Sequence, residues 1–154
     1  SKDLNFDQER ANALAARAAG AFAAVDFSCK SFDLTVAIEP LSTAATEGPT
    51  AEVKMNATKA LGNLRVGGAD ALVKVLTEGD SDELKAAAAT ALGSVLSAND
   101  GTAEQIEALM NASTAEGAVG AAALAAVGQV RNLTPEQRRK LFETHRLNIG
   151  TKAE

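Results

Sequence analysis

Apolar residues recur three and four positions apart along most of this chain, and the stripes they make alternate between long and short. Leu14, Ala18, Ala21, Phe22 and Val25 form one such stripe; Leu72, Val75 and Leu76 form another, and Ile106, Leu109 and Met110 a third. That spacing belongs to amphipathic helices. It predicts eight of them, near 7–25, 33–45, 51–65, 69–78, 81–97, 103–112, 115–131 and 135–146, followed by a polar tail at 148–154. Pro40 falls inside the second, where a missing N–H and a clash with the preceding turn predict a kink or a fresh start.

Punctuation agrees with the stripes. Glu47-Gly48-Pro49 and Gly67-Gly68 are breaks. Asp80-x-x-Glu83, Thr102-x-x-Gln105, Ser113-x-x-Glu116 and Thr134-Pro135-x-Gln137 read as capping boxes or near relatives. In such a box a side-chain oxygen accepts from an orphan backbone N–H, and the acid or amide three residues on reaches back. Pro135 suits a first helical position, whose N–H has no partner within the helix.

Three segments are variants of one another: Ala60-Leu61-Gly62-Asn63-Leu64, Ala91-Leu92-Gly93-Ser94-Val95 and Ala126-Val127-Gly128-Gln129-Val130. Ala19-Gly20-Ala21-Phe22 is a degenerate fourth. Recurrence at this period marks a repeat array. A glycine inside a helix costs about 1 kcal/mol relative to alanine, so its return at matched positions predicts close backbone approach to an adjacent helix. Each unit then consists of a long alanine-rich helix, a turn and a short helix, too small to bury both faces alone, so neighbours must stack.

Composition sharpens this. Of 154 residues, 34 are alanine and five are Phe, with no Trp or Tyr. Alanine has the best helix propensity and lets helices approach closely. The formal charge of −5 argues against generic affinity for nucleic acid or anionic membrane. No stretch has the roughly 18 consecutive apolar residues of a membrane helix. The chain begins at Ser1 without Met, so an excised or processed form, and either a cytoplasmic or an exported location, stays open.

The segment Thr77–Lys85 followed by Ala86–Leu92 and Gly93 resembles a HEAT repeat of the short, phycobilisome-lyase-like type. Glu52-Val53-Lys54 with Ala60-Leu61-Gly62 repeats the pattern, and Gly117-Ala118-Val119 with Ala126-Val127-Gly128 does so more loosely. The likeness covers about 50–131, extends to 147 and is weak over 1–46. Where the family has arginine after the Val, this chain has Lys54, Lys85 and Gly120, which puts the family's inter-repeat charge ladder in question at the third copy. The resemblance implies an all-α, right-handed α-solenoid (a superhelix of about four stacked helical hairpins) acting as an interaction scaffold. Its divisions are a degenerate first hairpin at 1–46, repeats at 50–78, 80–112 and 114–147, and the tail.

Candidate chemistry is sparse. Cys29 is alone and reads as a packed thiol. His145, four residues after Leu141, reads as a packed or capping histidine. One His and one Cys supply no metal constellation. Glu104 and Glu107 are a solvated pair, Asp100-Gly101 is a turn without the acidic ligands of a calcium loop, and the triplets at Asn56, Asn111 and Asn132 arise readily by chance. Arg131, Arg138, Arg139, Lys140 and Arg146, interleaved with Glu136 and Glu143, read as the polar outer face of a terminal repeat.

These readings predict a non-enzymatic module without cofactor, binding a protein or peptide on a concave face lined by the shorter helices. Helical phase puts Asp70, Lys74, Glu104, Glu107, Asn111, Arg139 and Lys140 outward there. Two alternatives stand beside it: a lyase-like module holding a bilin or other tetrapyrrole, and, against the acidic charge, a nucleic-acid binder. A homodimer through the alanine-rich ends is also open.

Overall fold

The computed structural model describes residues 10, 14–21 and 33–151, with side chains to residue 146. All the regular structure among them is helical. Residues 14–21 are helical, and a 3-10 turn at Leu34–Ala37 leads into α1 (Ile38–Glu47). There follow α2 (Ala51–Leu64), α3 (Ala69–Glu78), α4 (Asp82–Ala98), α5 (Ala103–Ala112), α6 (Gly117–Gln129) and α7 (Pro135–Thr151).

Pro40 resolves as a fresh start rather than a kink. It is the third residue of α1, in the first turn, where its absent N–H leaves no helical bond unmade. The preceding 3-10 turn is capped by Asp33, whose carboxylate accepts from the Thr35 amide (3.1 Å) and hydroxyl. Those two bonds hold the Asp33 carboxyl below its ordinary value of 3.8. At the other end α7 runs to Thr151, through part of the expected tail, because no breaker precedes Gly150.

Two of the expected boxes form in full. Thr102 Oγ1 accepts from the Gln105 amide (3.3 Å) while Gln105 Oε1 accepts from the Thr102 amide (3.1 Å). Thr134 and Gln137 exchange the same two bonds at 3.1 and 2.9 Å. The other two differ. The cap of α4 is Ser81, accepting from Leu84 N–H, because the Asp80 carboxylate is drawn away to Lys54 Nζ at 2.5 Å. Ser113 belongs to the end of α5, where its hydroxyl donates to the Met110 carbonyl (2.7 Å). A further turn then delays α6 to Gly117, capped by Glu116 without a side-chain bond. Thr50, which has no acid or amide three residues on to advertise it, caps α2.

The long helices α2, α4 and α6 lie side by side in one layer, and the short helices α1, α3 and α5 in a second. Between the two layers, packing is closest for α1 on α2, α3 on α4 and α5 on α6. Hairpins defined by contact are therefore one helix out of phase with the units 50–78 and 80–112 defined by motif. The reason is that α4 settles in the notch formed by α2 and α3, and α6 in the notch formed by α4 and α5. Leu61, Leu72, Leu92, Leu96 and Leu109 are fully buried along the seam between layers.

Two of the three motif glycines do what their recurrence predicts. A Cβ at Gly62 would stand 2.8 Å from Ala91 Cα and Cβ, and one at Gly93 would stand 2.7 Å from Ala126 Cβ. Only hydrogen fits there. Gly128 departs from the pattern: nothing lies within 4 Å of its virtual Cβ, because among the described residues no further long helix follows α6 in the layer.

Polar side chains stitch the units together, one from within a long helix and two from the turns after long helices. Asn56 Nδ2 donates to the Ala16 carbonyl (3.2 Å), Asn99 Nδ2 to the Arg65 carbonyl (2.7 Å), and Asn132 exchanges two 2.9 Å bonds with the backbone of Gly101. The Arg131 amide reaches the Leu96 carbonyl at 3.0 Å. Asn56 and Asn132, flagged by sequence only as triplets, are thus inter-unit ties. Among the described residues Lys54 of α2 pairs with Asp80 in the turn before α4; the counterpart of Asp80 one unit on, 35 residues later as for Gly93 and Gly128, is Ala115, and no ion pair is formed by Lys85.

Candidate partner-binding surface

The short helices present their polar faces outward because Leu72, Val75 and Leu76 of α3 and Ile106 and Leu109 of α5 turn their apolar stripes to the core. Between α3 and α5 runs an open groove of about 530 Å³. Leu76, Ala108, Ala112 and Val119 give it an apolar floor, and Lys85, Glu104, Glu107 and Asn111 a mixed polar rim.

Three of the seven expected residues, Glu104, Glu107 and Asn111, meet at this groove, all exposed. Their spacing of three and then four residues stacks them along one face of α5. Lys74 is exposed but lines a separate shallow depression with Lys54, Glu78 and Asp80. Asp70 is exposed too, outside this groove, and accepts from Gln105 Nε2 at 2.7 Å, a bond that joins α3 and α5. Arg139 and Lys140 stand exposed on α7, away from the groove. Helical phase finds the outward positions of one helix but cannot say which neighbour stands opposite. Lys85 and Val119 therefore escaped it, since they reach the groove from the long-helix layer.

The sites read as inert in sequence can be placed individually. His145 is half-buried, with Nε2 3.3 Å from Ser113 Oγ. That hydroxyl already donates to Met110, so it accepts from the imidazole N–H, and the pair pins α7 to the end of α5. Among the described residues no group of three His, Cys, Asp or Glu is placed to hold a metal. No helix of the described residues is long and apolar enough to cross a membrane. Cys29 lies outside the described residues.

The terminal basic cluster differs from expectation. Its charges are exposed, and Arg131 approaches Asp100 at 3.8 Å. The face they border is apolar instead of polar, with Leu124, Leu133, Leu141 and Phe142 along a groove between α6 and α7. Among the described side chains, Leu133 packs on the core from the loop before α7 and Leu141 from α7 itself, while His145 bonds Ser113, and Leu124 on the outer side of α6 stays exposed.

No family model matches this chain, and no curated protein or solved structure matches it either.

Proposed function

We propose that the chain is a non-enzymatic, HEAT-like interaction module that binds a protein or peptide segment along the groove between α3 and α5. The observation that carries this reading is the groove itself. It joins an uncharged floor to a rim of both signs, the arrangement that seats an apolar side chain while pairing a polar backbone or flank. Glu104 and Glu107 select for a basic or amide-bearing neighbour, Lys85 for an acidic one, and Asn111 can both donate and accept.

A photo-crosslinking residue at Asn111, with a control at Lys59 on the long-helix layer, tests it in the native cell extract. Adducts from position 111 that disappear on Glu107→Lys are expected. Equal labelling from position 59, or adducts indifferent to Glu107→Lys, would remove the proposal.

A further inference from the structure

The long helices share a motif wider than the glycine triplet: Ala15-x-x-Ala18-x-Gly20, Ala57-x-x-Ala60-x-Gly62, Ala88-x-x-Ala91-x-Gly93 and Ala123-x-x-Ala126-x-Gly128. At the α2–α4 and α4–α6 crossings the glycine of one long helix receives the second alanine of the next, Gly62 with Ala91 and Gly93 with Ala126, whereas a Cβ at Gly20 would meet the Asn56 side chain at 3.5 Å. The alanine pair thus faces the preceding unit and the glycine the following one. In the last three copies the alanine pair is buried, at 4% exposure or less.

Each end of the array keeps one half of this contact open. Ala15 and Ala18 are exposed, beside Leu14 at 68%. At the far end Gly128 meets nothing within 4 Å, with Leu124 at 38% and Phe142 at 69% beside it. Gly128 lines the groove of about 530 Å³ whose two walls are α6 and α7. A long helix bounded by the preceding long and short helices is the internal arrangement of α4 and α6. Two such end faces would bring glycine to glycine, without the alanine that the α2–α4 and α4–α6 crossings set against it.

We propose that the groove between α6 and α7 takes residues 14–21 of a second copy of this chain, with Ala18 of the incoming helix seated on Gly128. The contact continues the array's own interface from one molecule into the next and is independent of the α3–α5 groove. Because it is head-to-tail and joins unlike faces, it need not close at two copies.

Sedimentation velocity of the whole chain across a wide concentration range tests this, with Gly128→Leu and Ala18→Glu as variants. Both positions are open in the single chain, so helical circular dichroism should be unchanged; Leu14→Glu serves as a second head variant. Wild type should gain mass with concentration beyond the dimer, and each variant should stay monomeric. An equimolar mixture of Gly128→Leu and Ala18→Glu should form a dimer and stop there, since one intact head and one intact tail remain. A wild type that stays monomeric, variants that associate like wild type, or a mixture that does not pair while wild type does, would each overturn the proposal.

Discussion

Gly93 and Gly128 occupy the same place in the motif and differ only in what stands opposite, which makes them a controlled pair. Gly93→Ala drives a methyl into Ala126, and Gly62→Ala into Ala91; overpacking of this kind costs about 1–3 kcal/mol. Gly128→Ala meets open space and gains helix propensity, stabilising by up to about 1 kcal/mol. Urea unfolding of dilute protein should show the opposite signs. Arg65 ends α2 at φ 56°, left-handed backbone that glycine adopts without a Cβ penalty. Arg65→Gly should therefore raise stability by roughly 0.5 kcal/mol, after glycine's extra unfolded-state entropy is subtracted. Asp33 sets a pH dependence. Its carboxyl is lowered in the folded chain, so its contribution is complete above the ordinary value of 3.8 and disappears as pH falls through the lowered one. A titration of the Asp33 side-chain carbon by NMR should place its midpoint below 3.8. Sequence located both glycine crossings and misassigned two caps, one of them for a reason visible only in three dimensions: Asp80 had a cation 26 residues away to attend to.

The helices themselves were largely legible, since from residue 50 the predicted spans fall within a few residues of α2 to α6. Stripes of leucine and valine, with Thr102 and Thr134 at two helix starts, carry that information locally. What sequence could not carry is the pairing of elements. Helical phase put Asp70 outward, where it does stand exposed, but gave no sign that Gln105 arrives from α5 to donate to it. Likewise the asparagines at 99 and 132 look like ordinary loop residues until the neighbouring turn is placed beside them. Thr102→Ala should cost about 1 kcal/mol, the usual worth of an N-cap. Asn132→Ala removes two bonds to Gly101 that join successive turns, and should cost about 1–2 kcal/mol. Thermal melts of the two variants decide whether ties between units matter as much as caps within them.

Across the whole molecule the long-helix layer is the stable part. The helix α4 has a long neighbour on each side and a short one behind it, while α7 touches the array through a few side chains. Amide exchange should accordingly be slowest in α4, intermediate in α2 and fastest in α7, following local unfolding energies. Uniform protection from α2 to α7 would contradict the nearest-neighbour packing described. The seams at Gly62–Ala91 and Gly93–Ala126 add a mechanical consequence. Backbone there rests on a methyl and a neighbouring backbone, with no rotamer able to yield. The facing short helices instead rest on Leu72, Val75, Ile106, Leu109 and Met110, side chains with torsions to spare. Any flexing must consequently pivot about the glycine side, as pages turn about a book's spine, and the fore-edge that fans apart is the one carrying Glu104, Glu107 and Asn111.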